Sequence, residues 1–181
     1  MATLDRILSG LTQEPRRLPR AADDAPGIYA WWVQPERLGD ADPRIPEVSA
    51  GAAGWSLLYC GIAPNSTRSR RLLSTRVDRD HSRGSIGNST FRQSLAALLR
   101  DTLGLEPLAG FDRSRVRDER ALTTWLTAHC GLTWAVQPAP WEWEAWVIEV
   151  LLPPLSISPG AHPFRFQVSE ARSRLRSDCR L

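Results

Sequence analysis

The chain contains no lysine. Every basic residue is arginine, so each cationic side chain carries the planar fork that binds carboxylates and phosphates bidentately. Cysteine is scarce. Cys60, Cys130 and Cys179 are odd in number, widely spaced and free of any Cys-x-x-Cys pair. That spacing argues against a disulfide framework and against a structural zinc site. His129 and His162 have no metal-ligand spacing to a cysteine either. No apolar run is long enough to span a bilayer, and the N-terminal residues lack the apolar stretch of a secretory signal. We therefore expect a cytoplasmic protein without a membrane partner. Internal repeats and low-complexity segments are also absent. What is present is 181 residues with a hydrophobic share of 42%, enough for one domain with a sizeable core and too apolar for disorder.

Net charge is only +3, which by itself says little about partners. Its distribution says more. Between Arg68 and Arg100 eight arginines stand against Asp78 and Asp80, a local excess of +6. Either this is a solvated helix surface, or it is a face that contacts phosphates.

Leu4, Ile7, Leu8 and Leu11 have the spacing of a short amphipathic helix. Prolines and arginines mark 14–26 as a loop, and residues 27–33 and 56–62 read as strands separated by a long Pro- and Gly-rich loop at 34–54. Helices are predicted at 69–81, after a capping box at Thr90-Phe91-Arg92-Gln93, at 118–129 and at 141–151, where Pro153 and Pro154 stop the last. A third strand is predicted at 132–136, and the arginine-rich tail after Ser169 reads as helical. The pattern fits an α+β layer: a small, mainly antiparallel three-stranded sheet flanked by helices. It divides into an N-terminal helix and linker (1–25), a main domain (26–156) and a basic C-terminal tail packing on that domain (157–181).

Two tyrosines are the only ones in the chain, and both stand beside glycines in the predicted strands: Gly27-Ile28-Tyr29 and Tyr59-Cys60-Gly61. Arg76 follows in the next predicted helix, three residues after Leu73, then His81, and later Glu144 ahead of Pro153-Pro154-Leu155-Ser156. On a helix Glu144 shares a side with Val147, Ile148 and Leu151, whereas Glu142 and Glu149 lie elsewhere. A carboxylate on an apolar side needs a cation, hydrogen bonds or a proton. Read from the residues alone, a buried salt bridge to an arginine competes with metal ligation. Strand tyrosines with exposed hydroxyls are likewise the ordinary alternative for Tyr29 and Tyr59.

In that order, these residues resemble the GIY-YIG nuclease superfamily, over roughly residues 26–156. The resemblance implies a phosphodiesterase site in which Tyr29 and Tyr59 flank the scissile phosphate. Arg76 would neutralise that phosphate, and Glu144 would hold one Mg²⁺ or Mn²⁺ ion. It leaves open which tyrosine handles the water. Arg70, Arg71 and Arg79 are the alternatives to Arg76. His81 is either a catalytic neighbour or a solvated histidine at a helix end. Two positions depart from the family pattern: Cys60 replaces the middle isoleucine of the second triplet, and Ser156 stands where asparagine is usual. The implied partner is DNA, with Arg68, Arg70, Arg71, Arg79, Arg83 and Arg92 as phosphate contacts and one or two of the eight tryptophans as stacking platforms. Specificity is assigned to the long loop, to a homodimer or to a partner protein. The reading from a different class is a catalytically inactive nucleic-acid-binding module on the same scaffold. In either case Tyr29, Tyr59, Arg76 and Glu144 are expected to converge on one cleft.

Overall fold

The computed structural model describes residues 2–18, 22–41 and 44–181. Pro19, Arg20 and Pro43, assigned above to loops, lie outside them. The sheet has four antiparallel strands: β1 Arg16–Arg17, β2 Gly27–Val33, β3 Ser56–Ala63 and β4 Cys130–Val136, in the order β1-β4-β2-β3. The expected count of three is thus one short. β1 is a two-residue pairing of Arg16 with Leu132 and Arg17 with Gly131. Its pairing uses backbone groups only, so no side-chain alternation announces it.

β2 is central and buried along its whole length. Alternate residues face opposite sides of the sheet, and each side has its own core. Tyr29, Trp31 and Val33 face one core, which also holds Leu73, Val77, Phe91, Leu95 and Leu126. Ile28, Ala30 and Trp32 face the other, with Ile7, Leu11, Val147 and Ile148. The first core is covered by α3 (Thr90–Leu98), α4 (Arg120–His129) and α6 (Arg165–Arg180); the second by α1 (Ala2–Leu11) and α5 (Glu144–Leu151). The short α2 (Leu38–Ala41) and the 3₁₀ turn Pro35–Arg37 give the loop after β2 more regular structure than its composition predicts.

Three helix boundaries differ from expectation. The helix predicted at 69–81 begins only at residue 73, and over Thr75–His81 it is a π-helix. The cap of α3 is Ser89, not Thr90: its hydroxyl accepts from the Arg92 backbone N–H at 3.1 Å. That is the usual reach of an N-cap serine to the third helical residue. The C-terminal helix is longer than predicted, and its Val168, Leu175 and Cys179 belong to the first core. α5 ends where Leu152 turns left-handed (φ 49°) ahead of Pro153. No helix of the described residues is long and apolar enough to cross a membrane.

Candidate active site

Tyr29 pairs in register with Gly61, and Trp31 with Tyr59, so the two phenols share one face of the sheet. Their ring centroids lie 6.4 Å apart. The glycines of both triplets have a steric cause. A Cβ on Gly61 would stand 2.5 Å from the Tyr29 hydroxyl oxygen and 2.9 Å from Tyr59 Cε1; only hydrogen leaves room for the Tyr29 ring to cross β3. A Cβ on Gly27 would strike the Ala135 carbonyl oxygen and lie 2.6 Å from Leu73 Cδ1. The start of β2 is therefore pressed between β4 and the helix that carries Arg76. Gly61→Ala should push the Tyr29 hydroxyl aside. Misplacement by about 1 Å can cost roughly 10²-fold in rate, so on the nuclease reading that the resemblance implies, single-turnover cleavage should fall by that order with the fold retained. An unchanged rate would show that the position of this phenol is immaterial.

The π-helix sets the next layer. In an α-helix, with about 3.6 residues per turn, positions five apart point to different sides. In a π-helix the i→i+5 backbone bond brings them close to one side, and here Ser82 N–H bonds to Val77 O at 2.9 Å. Arg76 and His81 are five apart. His81 is completely buried, not a solvated helix-end residue. Its Nε2 lies 2.6 Å from the Tyr29 hydroxyl and its Nδ1 2.6 Å from Ser89 Oγ. If Tyr29 donates to Nε2, Nδ1 carries the proton and donates to Ser89 Oγ, which satisfies both nitrogens of a neutral ring. Burial, then the charges of Arg76 and Arg92, hold the His81 pKa well below its usual value, so the ring is neutral.

This has a consequence for stability. The unfolded histidine titrates near pH 6.5 and the folded one lower, so between the two values only the unfolded chain takes up the proton. The contribution is complete above about pH 6.5 and is lost as pH falls. Between pH 7 and pH 5 the urea midpoint of the wild type should drop more than that of His81→Gln. Equal drops would place the acid sensitivity elsewhere.

Both phenols stay protonated at neutral pH. Burial raises the Tyr29 pKa well above 10; the neighbouring Tyr59 adds to this, and Arg76 opposes it. Tyr59 is pushed up to about 12, again by burial, with Arg76 opposing. The Arg76 side chain is only 20% exposed, and Nη1 lies 3.5 Å from Asp80 Oδ2. The same carboxylate pairs with Arg71 at 3.0 Å and with Arg79 at 3.7 Å.

Glu144 is half-buried in the first turn of α5, beside the buried Val147 and Ile148, while Glu142 and Glu149 are exposed. The body of α5 packs with Cys60, on the side of the sheet opposite the phenol rings. The carboxylate nevertheless acts electrostatically on Tyr29, Tyr59 and Cys60, and Arg76 acts on it. Burial raises its pKa and Arg76 works against that rise. Among the described residues no arginine pairs with Glu144 within salt-bridge distance. A half-buried carboxylate without a contacting counter-charge is short of compensation, and a hard oxygen donor of this kind suits a divalent cation that keeps most of its waters. Among the described residues no group of three or more His, Cys, Asp or Glu side chains is placed to hold a metal ion.

The two departures from the family pattern meet each other. Ser156 Oγ lies 3.5 Å from Cys60 N and 3.4 Å from Cys60 O, and Leu155 N–H bonds to Leu58 O at 2.9 Å. The segment after α5 thus lies along the outer edge of β3, and Ser156 serves that edge with long, weak bonds. Cys60 is buried among apolar side chains, as a small hydrophobe in that position would be.

Among the predicted phosphate contacts, Arg68, Arg70, Arg71, Arg79 and Arg83 are exposed. Arg92 is not. It is fully buried, donates from Nη1 to the His81 and Ser82 carbonyls at 3.2 and 3.0 Å and from Nη2 to Thr123 Oγ1 at 3.0 Å, and faces Glu119 at 3.7 Å. It ties the end of the π-helix to α4 and is removed from the nucleic-acid set. Trp31 is also core, stacked on Phe91 at 4.8 Å between ring centroids. Ser89 and Asp80 are site neighbours that sequence reasoning missed. Asp80 had a legible signal, its four-residue spacing from Arg76.

A family model described as the GIY-YIG catalytic domain matches residues 27–178, from the first glycine of β2 to the last turns of α6. No curated protein and no solved structure matches the chain. The match takes in both Tyr–Gly triplets, Arg76, His81 and Glu144, and the chain belongs to the GIY-YIG catalytic domain family.

Proposed function

We propose that the protein is a metal-dependent endonuclease that hydrolyses DNA phosphodiester bonds, in a defence, mobile-element or repair setting. The observation that carries this reading is the buried Tyr29–His81 hydrogen bond, 2.6 Å long, within the electrostatic reach of Arg76. A phenol with a pKa above 10 is a poor base on its own. Tyr29, however, is fixed by a hydrogen-bond acceptor in contact, whereas the Tyr59 hydroxyl has no such side-chain partner among the described residues. Tyr29 therefore takes the role of handling the water. As the water oxygen attacks phosphorus, the Tyr29 oxygen, fixed by its hydrogen bond to His81 Nε2, accepts a hydrogen bond from the water and aims it, and the water's proton is released to solvent. The bond from phosphorus to the leaving oxygen breaks, and that oxygen takes a proton from solvent water. Arg76 binds the phosphate and stabilises the charge that grows on it. Tyr59 walls the other side of the phosphate. A divalent cation held by Glu144 would supply further charge neutralisation at the phosphate and the leaving oxygen. One such site cuts one strand, so a double-strand break calls for a homodimer or two successive events.

The test is incubation of pure protein with supercoiled plasmid and Mg²⁺ or Mn²⁺, followed by modified and branched DNA. Nicked circles are expected from the wild type. DNA binding without nicking on any of these substrates would replace the endonuclease by an inactive nucleic-acid-binding module.

A further inference from the structure

Asp80 and His81 stand side by side one turn after Arg76, within the π-helix Thr75–His81. The winding that buries His81 against the Tyr29 hydroxyl leaves Asp80 at 14% exposure. Its carboxylate faces three guanidinium groups. Oδ2 accepts from Arg71 Nη1 at 3.0 Å and lies 3.5 Å from Arg76 Nη1, and Oδ1 lies 3.7 Å from Arg79 Nε. Among the described residues no second carboxylate forms an ion pair with any of the three.

The three arginines are not equivalent. The side chains of Arg71 and Arg79 are 56% and 73% exposed, that of Arg76 only 20%. An exposed arginine on a flexible stem gains little from such a pair. Arg76 is enclosed, so its fork has few directions to take, and Asp80 selects among them. Arg71 and Arg76 also line one cavity of about 110 Å³, together with Asn65 and Ser69. The oxygen they share ties both forks to one space, with room for a phosphate group. Three cations around one anion leave that space positive.

We propose that Asp80 is a positioning residue of the site: its Oδ2 holds the Arg76 and Arg71 guanidinium groups turned toward one phosphate before substrate arrives. This rests on the nuclease reading above. A donor that is already oriented need not turn during the reaction, and its effect on rate lies there. Asp80 touches no reacting atom and acts through Arg76. Its charge also repels the phosphate that these arginines bind. Asp80 thus raises rate while lowering affinity, an opposition that a merely structural ion pair does not produce.

Wild type, Asp80→Asn, Arg76→Ala, the double variant and Glu106→Gln are to be compared. Glu106→Gln removes a carboxylate from the exposed pair with Arg117 and is the control. Duplex affinity is titrated in EDTA, and single-turnover nicking is followed with Mg²⁺ or Mn²⁺. The heteronuclear NOE of each arginine Nε–H reads side-chain order in the free protein. In the wild type Arg76 should be ordered and Arg79 mobile. Asp80→Asn should slow nicking by roughly tenfold to a hundredfold, bind duplex at least as tightly as the wild type, and lower the Arg76 NOE. In the Arg76→Ala background it should slow nicking no further, because the group it acts through is gone. Its thermal midpoint should stay close to that of the wild type. Glu106→Gln should match the wild type throughout. An unchanged nicking rate, a loss that multiplies in full with that of Arg76→Ala, or an unchanged Arg76 NOE would overturn the proposal and leave Asp80 as a surface ion pair. If Asp80→Asn does not fold, the wild type decides: an Arg76 NOE as low as that of Arg79 overturns the proposal, and an ordered Arg76 beside a mobile Arg79 supports it. A wild type that never nicks defeats the endonuclease reading, while the NOE comparison still decides whether Asp80 holds Arg76.

Discussion

Glu144→Gln is expected to slow single-turnover nicking by about a thousand-fold or more and to leave the fold as stable as before. The size follows from the several kcal/mol that a bound cation contributes to a phosphoryl transition state, at about 1.4 kcal/mol per tenfold in rate. The absence of a stability loss follows from the surroundings of the carboxylate. Burial has raised its pKa, and no arginine contacts it as a salt-bridge partner among the described residues. Glutamine fills the same volume without a charge to desolvate. Were Glu144 instead half of a structural ion pair, its removal would cost about 3–5 kcal/mol of stability. Chemical denaturation and single-turnover cleavage on the same preparation separate the two. A destabilised variant that still nicks at the wild-type rate would return Glu144 to the structural role.

Arg76→Ala should lower the single-turnover rate by roughly 10²–10³-fold, the usual loss for one preorganised donor to developing charge, while changing affinity much less. In the proposed mechanism this contact strengthens in the transition state, so its loss should appear in turnover. Arg79→Ala and Arg83→Ala should behave in the opposite way. Each is exposed and should remove about 0.9 from the log–log salt slope with similar losses on all sequences. Arg76 is set apart from Arg70, Arg71 and Arg79 by position: it is half-buried, and its charge acts on Tyr29, Tyr59 and Glu144. Asp80 keeps Arg71 as a partner at 3.0 Å when Arg76 is removed, so the fold should tolerate the change. If Arg76→Ala weakens binding and spares the rate, Arg76 is a surface contact and the catalytic arginine lies among the other three.

The family was legible because its motifs are local and have steric causes. Gly27 and Gly61 are required where a strand start and a phenol need the space of a Cβ, so each stands in the sequence beside its tyrosine. The central strands were legible from dense apolar runs, and the placement of Glu144 from helical spacing to Val147, Ile148 and Leu151. Element ends were read less well. The cap of α3 shifted by one residue because serine and threonine stand side by side at 89 and 90, and either could have served.

Pairings between distant segments could not be read from the chain at all. β1 joins the sheet through backbone bonds that leave no mark on side-chain pattern. From the sequence His81 is either a catalytic neighbour or a solvated helix-end residue, and only the change from α to π winding turns it inward between Tyr29 and Ser89. Arg92 and Arg172 have the same composition signal as the surface arginines around them. One is buried against carbonyl oxygens and the other is held by Gln93. By itself the sequence determined which chemistry-bearing residues exist, the apolar strands and helix sides, and the family they belong to, because these depend on residue type and short spacing. Tertiary structure alone decided which arginines face solvent and which phenol has a hydrogen-bond acceptor, because desolvation and hydrogen-bond contact depend on what the rest of the fold packs against each group.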